Sequence, residues 1–390
     1  MGGDMTGKFG HGMRDLWPLE PGAIHLNHGT VGVTPNEVLA AQWAIKQRIE
    51  AHPARFMFRD LKPALRAAAD RLATVLGGRG DDYVFTDNAT SGVNAVLRSA
   101  RLGPGDEILV TDHTYGAIVN AARYVCEQSG AALVTVEIPF PINDDAAIIT
   151  AVENGLSERT RLVILDHITS HTGIILPLRR LVDICHSAGA QVLVDGAHAP
   201  GAMALDIPLC GADWYAANLH KWLFVPRGCG VLWASPAVQP DLHPAVISWR
   251  LGEGFTAEFD WTGTRDPSAS LSLPAALDFM DRLGGEAVRN YNHDLAVAAA
   301  AMLAERFAGP IGAPAHMTAA MALGPLPENL DPSQEEAGAL HDHLLYTHNI
   351  EVPIIARSGR LWARLAAQVY CQMSDFETLA DAVEGWAAKK

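Results

Sequence analysis

The chain has 390 residues, a formal net charge of −15 at pH 7 and 49% hydrophobic residues. That length buries a sizeable core and fits two domains, or one large domain with a smaller one appended. The acidic balance argues against nucleic acid or an anionic membrane as a partner, and no run reaches the ~18 apolar residues of a membrane span.

Cys126, Cys185, Cys210, Cys229 and Cys371 show no C-x-x-C spacing, which reads as a reduced set in a cytoplasmic protein. Met1 to Thr6 has no apolar core, so it is not a secretory signal. It matches a myristoylation pattern, but no polybasic stretch follows, and the match reads as chance. Residues 1–25 read as a loosely held N-terminal arm.

Asn27-His28-Gly29-Thr30 follows a short apolar pair and reads as a loop. Pro35 to Glu50 has helical spacing, with Val38, Ala41, Trp43, Ile45 and Ile49 on its apolar positions. Leu61 to Leu76 is a second amphipathic helix, stopped by Gly77-Gly78. Val84-Phe85 is a strand that runs into Thr86-Asp87-Asn88-Ala89-Thr90-Ser91-Gly92 and then a helix. Such a turn offers free N–H groups and a positive helix end to a phosphate. Thr90 or Ser91 would also cap that helix with nothing bound.

Three strand–helix units follow. The strands are Ile108–Val110, Leu133–Ile138 and Leu162–Leu165, the last ending at Asp166-His167. The helices are predicted at Tyr115–Gln128, Ala146–Leu156 and Leu178–His186. This alternation implies a parallel, doubly wound sheet, with ligand-facing residues just after each strand. His113, Tyr115, His167 and Ser170 occupy such places. His167 is also the kind of histidine a core satisfies internally.

Val192–Val194 ends at Asp195, and Trp214–Ala217 stops just before Lys221. A carboxylate and an amine therefore emerge at one end of the sheet. An amine in a dry pocket loses its proton and condenses with an aldehyde. Pyridoxal 5′-phosphate (PLP) offers that aldehyde, and its ring nitrogen needs an acidic partner such as Asp195. A metal site at Asp195, His198 and His220 does not fit the usual zinc spacings, so no metal is expected.

Cys229–Ala234 is a further strand. From about residue 270 the pattern turns helical, with Ala275–Leu283 and Glu286–Phe307. A strand at Met317–Leu323 opens a small α+β domain with helices at Glu335–Thr347 and Asp375–Ala388. Strands at Ile350–Ile355 and Leu361–Tyr370 lie between them, and Ser374 with Glu377 forms a capping box. The domains divide as 26–270 and 271–390. Arg364 sits in an apolar run, where its charge needs an anion. A substrate carboxylate or an internal ion pair would serve.

The segments Leu26–Gly32, Thr86–Thr90, Asp112–Ala117, Asp195–His198, Asn218–Trp222, Trp261–Asp266 and Arg364–Tyr370 resemble, in order, the class V aminotransferase group of fold-type I PLP enzymes. The isopenicillin N epimerase-like branch is the nearest match. The resemblance implies an α/β fold with a large PLP domain and a small C-terminal domain. It implies Lys221 as the cofactor lysine, Asp195 at the ring nitrogen, and Ala89, Thr90, Asn218 and His220 at the phosphate. His198 and Ser170 would stand near the phenolic oxygen, and His113 or Tyr115 would stack on the ring. Gly263 and Thr264 would reach the phosphate of the other subunit in a homodimer with shared sites. Asn27, His28 and Arg364 would meet the substrate.

Epimerisation at an amino-acid α-carbon is the reaction implied, with C–S β-lyase, aminotransferase or a non-catalytic binding protein as alternatives. Cysteine desulfurases of this group carry a nucleophilic Cys ahead of the carboxylate-binding Arg. Ile350 to Arg360 contains none, and Cys371 lies after Arg364, so a persulfide route is not expected.

Overall fold

The computed structural model describes residues 9–390. Met1–Thr6 and the first part of the expected arm lie outside the described residues. The rest of the arm is held firmly. Met13 and Trp17 are buried, Gly10 N–H donates to the Val369 carbonyl at 2.7 Å, and Trp17 packs edge-on against Phe224, Phe279 and Tyr370. The charge-mixed sequence there concealed one anchoring tryptophan.

Strand β1 (Ile24–His25) is followed by helices α1 (Asn36–Ala51) and α2 (Leu61–Leu76). The large sheet is built from β2 (Tyr83–Thr86), β3 (Glu107–Thr111), β4 (Ala132–Val136), β5 (Thr160–Asp166), β6 (Gln191–Asp195), β7 (Trp214–Asn218) and β8 (Gly230–Ala234). Its order is β2-β8-β7-β6-β5-β3-β4, and every pairing is parallel except the two made by β8. Helices α3 (Ala89–Ser99), α4 (Gly116–Ser129), α5 (Ala146–Gly155) and α6 (Leu178–Ser187) alternate with these strands. The central strands β3 and β5 to β8 are buried almost throughout, as expected of a sheet covered on both faces.

Helices α7 (Leu273–Leu283) and α8 (Gly285–Arg306) lead to the C-terminal part. There β9 (Met321–Pro325), β10 (Ile350–Glu351), β11 (Ile354–Arg357) and β12 (Arg360–Ala366) are flanked by α9 (Gln334–His348) and α10 (Met373–Ala387). The small sheet is antiparallel, in the order β11-β12-β9. Three predicted details shift. Residues 315–317 form a helical turn, so β9 starts four residues later than expected. Pro353, which has no N–H to give a ladder, separates β10 from β11. The last helix is capped by Gln372 with Asp375, whose Oδ2 accepts from Gln372 N–H at 2.9 Å, and not by Ser374 with Glu377.

β1 pairs in parallel with β10, and Asn27 bridges to Ala366. The segment that opens the large domain in sequence is therefore stitched to the C-terminal part in space. Among the described residues, no helix is long and apolar enough to cross a membrane.

Candidate active site

The parallel strands deliver their C-terminal ends to one cavity of about 450 Å³. Asp166 and Asp195 close β5 and β6, Asn218 closes β7, and His220 and Lys221 follow it. Asn88, Ala89 and Thr90 line the cavity from the start of α3, and Tyr115 lines it from the start of α4. Thr30, Ser170, His171, His198 and Arg364 complete the polar wall.

The loop carrying Lys221 is gripped from two sides. Gly32 has φ +68°, and a Cβ there would sit 2.0 Å from the His220 carbonyl oxygen. Gly201 has φ +88°, and a Cβ would sit 2.3 Å from that of Trp222. Both positions need glycine for conformation and for space. His28 adds a third hold, with Nε2 3.0 Å from the Lys221 carbonyl oxygen and Nδ1 2.9 Å from the Tyr370 hydroxyl. His28 is wholly buried and lies outside the cavity lining, so the structure places it behind the lysine loop and away from the expected substrate contact.

Lys221 Nζ lies 3.0 Å from His198 Nε2. Burial, with the Arg364 charge, lowers the Lys221 pKa to about 7 against the opposing pull of Asp195. Burial also holds His198 well below its usual range, and its Nδ1 has no partner. Burial raises the Asp195 pKa, while its Oδ1 accepts from Ala197 N–H at 3.0 Å.

The α3 terminus is tied to β7 by Ala89 N–H donating to Asn218 Oδ1 at 2.8 Å, and Asn88 caps it by accepting from Ser91 N–H. Asn88 thus takes the capping role expected of Thr90 or Ser91, and Thr90 faces the cavity. His220 Nδ1 lies 3.1 Å from the Cys229 carbonyl oxygen, and burial lowers its pKa to about 4.

Arg364 is held wholly by neutral oxygens. Nη1 donates to the Ser170 carbonyl at 2.7 Å, and Nη2 donates to Asn27 Oδ1 at 2.9 Å and to Thr30 Oγ1. Nε is buried without a partner, and desolvation lowers the guanidinium pKa to about 10. Asn27 in turn donates to Glu351 Oε1 at 2.6 Å. Asn27 therefore stands behind Arg364, outside the cavity lining.

The remaining expected residues divide. Tyr115 lines the cavity; His113 does not, its Nδ1 lying 2.7 Å from Thr172 Oγ1 and its ring against Phe140. Gly263 and Thr264 are absent from the lining of this cavity. His167 is buried against Tyr215, with Nδ1 2.7 Å from its hydroxyl. Thr30, Asn88, Asp166 and His171 line the cavity without having been singled out as site residues. Asn88 adjoins Ala89 and His171 adjoins Ser170, Thr30 ends the Asn27–Thr30 loop, and Asp166 occupies the strand end that the parallel-sheet rule marks. Among the described residues, no group of three or more His, Cys, Asp or Glu is placed to hold a metal.

The model of the Aminotransferase class-V family matches residues 33–316. The chain belongs to that family. It is similar to a probable chloroplastic L-cysteine desulfhydrase of Arabidopsis thaliana, 32% identical, with 94% of this chain and 83% of the relative covered. It is equally similar, at 32%, to an isopenicillin N epimerase of Amycolatopsis lactamdurans, with 95% and 97% covered. Among solved structures, the C–S lyase C-DES with glycine covalently linked to its PLP cofactor superposes with a TM-score of 0.79. That pair is 23% identical and covers 95% and 98% of the two chains.

The cofactor of this class V enzyme is PLP. The residues of the cavity fit that group. A desolvated amine at Lys221, a buried carboxylate at Asp195 and the N-terminus of α3 suit an aldehyde, a ring nitrogen and a phosphate respectively. Ala89 and Ser91 N–H are taken by Asn218 and Asn88, which leaves the Thr90 N–H at that terminus, and His220 Nε2 would donate to an anion once protonated, a state the anion's charge would favour by raising the His220 pKa.

Proposed function

We propose that this class V enzyme is a carbon–sulfur β-lyase of small sulfur-containing amino acids. The observation that carries the reading is the one cavity lined by both Lys221 and Arg364. Its volume of about 450 Å³ must accommodate cofactor and substrate together, which favours a small substrate. None of the five cysteines lines it, which removes a persulfide-forming thiol from the wall. The desulfhydrase relatives support the same choice.

When bound, PLP supplies an electron sink for negative charge at the substrate α-carbon. Arg364 binds the carboxylate, and its hold on Ser170, Asn27 and Thr30 fixes the guanidinium plane. Lys221 Nζ takes the α-proton as general base, a task suited to a pKa near 7. His198 accepts from Nζ and keeps the amine aimed. Asp195 holds negative charge at the far end of the cavity, and Tyr115 covers a flank. The β C–S bond breaks, sulfur leaves as a thiol with one proton, and water completes conversion to a 2-oxo acid and ammonia.

Epimerisation is the second reading. Tyr115 and His171 favour it as further proton carriers in the same cavity, as does the epimerase relative. Turnover of cysteine-type amino acids in deuterated water separates the two. Released 2-oxo acid with thiol supports the lyase; recovered amino acid of inverted chirality bearing α-deuterium supports the epimerase and overturns the lyase.

The enzyme is proposed to be a cytoplasmic homodimer with shared sites. Gly263 and Thr264 lie outside their own cavity, and Val246, Ile247, Trp249 and Leu251 form an exposed apolar run. Five unpaired cysteines suit a reducing compartment.

A further inference from the structure

Asp166 has no part in the chemistry above, yet it is buried in the wall of the same cavity. It ends β5 in register with Asp195 at the end of β6. Adjacent strands run about 4.8 Å apart, so the two backbone positions are a single strand spacing apart, and both side chains line the cavity. Asp166 Oδ2 is sealed from solvent and has no hydrogen-bond partner. One amine, Lys221, is the cation that acts on the pair, and it acts on Asp195.

Two negative charges cannot be held there together. A buried charge with one oxygen unpartnered is costlier than a buried neutral acid, and close carboxylates share a single ionisation. The asymmetry decides which one keeps the proton. Asp195 receives the Ala197 N–H and the field of Lys221. Asp166 meets the Asp195 charge on the neighbouring strand, and Thr114 and the Tyr115 peptide after β3 offset its burial only in part.

We infer that Asp166 is a neutral carboxylic acid whose hydroxyl donates to Asp195, fixing that carboxylate's orientation and its grip on the cofactor ring. Asp166 is thus a positioning residue, and the pair delivers one negative charge. The inference rests on the PLP assignment at Lys221 and on neither choice of reaction. Burial and the Asp195 charge both push the Asp166 pKa well above the carboxylate range, in the same direction.

The test uses the full-length holoenzyme. Infrared spectra at neutral pH should contain the C=O stretch of a protonated carboxylic acid that disappears in Asp166→Asn. The visible absorbance of bound PLP should titrate in Asp166→Asn within about half a pH unit of wild type, because one neutral group replaces another. Asp166→Val, which offers no donor, should move that midpoint by about one unit or more and lower kcat about tenfold at unchanged KM. No acid band in the wild type overturns the inference, and that spectrum needs no variant to fold. A band that survives in Asp166→Asn, a midpoint that falls by a unit in Asp166→Asn, or a Val variant that matches Asn also overturns it. Absent thiol release with the band intact would count against the lyase reading alone.

Discussion

Lys221 Nζ and His198 Nε2 stand 3.0 Å apart, and both side chains are buried. Both are bases, and burial presses each toward its uncharged form. The amine meets an acceptor that cannot compete for its charge, so it is oriented without being neutralised by an ion pair.

That pairing has a signature in stability. The unfolded chain protonates Lys221 near 10.5 and the folded apoprotein near 7. Between those values the unfolded state binds more protons, so raising the pH favours the fold. In PLP-stripped protein, Lys221→Met should be more stable than wild type at pH 7, by on the order of a few kcal/mol. The gap should close as the pH approaches 10.5. Urea denaturation across that range measures it; a gap that widens with pH would contradict the depressed amine.

Borohydride reduction of the holoenzyme should fix a pyridoxyl group on the peptide containing Lys221. Peptide mapping that finds the label on Lys46 or Lys62 would move the cofactor elsewhere.

Arg364→Ala should still bind PLP and turn yellow, since Asp195, Thr90 and Lys221 are untouched. Its binding of amino acids should weaken by about 2–5 kcal/mol, the scale for losing one partner of a buried charge pair. Simple amines without a carboxylate should bind as in wild type. Asn27→Ala should give a smaller loss of the same kind, because Arg364 keeps Ser170 and Thr30. Equal losses for amines and amino acids would make the arginine structural.

His28→Ala should behave as a stability variant. It removes two buried contacts, to Tyr370 and to the Lys221 carbonyl, and should cost about 2–4 kcal/mol in denaturant titration. Substrate KM should change little. A large rise in KM at full stability would return His28 to the substrate side.

A dimer that shares its sites should fall apart when its apolar run is charged. Trp249 is 92% exposed in the single chain, and Trp249→Glu should sediment as a monomer with little activity. An active monomer would refute shared sites.

The alternation of strand and helix made the large sheet legible, because parallel strands must be apolar along their whole length and end abruptly at polar groups. Asp195 and Lys221 follow from that rule, and so would Asp166, had the reading stopped one residue earlier than His167. What the chain order concealed was contact between distant parts. Nothing around Asn27 announces that its amide supports Arg364, 337 residues away. His28 and His113 share the composition of site residues, and only packing separates them from His220 and His171. The capping of α3 by Asn88 was hidden because three neighbouring side chains could each perform it.

The parallel pairing of β1 with β10 also imposes an order of assembly. A ribosome releases residue 25 more than three hundred residues before its strand partner at 351 exists. The sheet from β2 to β8, with Lys221, Asp195 and the α3 terminus, is complete in sequence by residue 234. The Arg364 clamp draws on residues 27, 30, 170 and 364, so it closes last. A nascent chain therefore passes through a stage in which every cofactor contact has been synthesised and the substrate clamp has not. Truncated chains ending near residue 320 are the natural place to look for a species that colours with PLP and ignores amino acids.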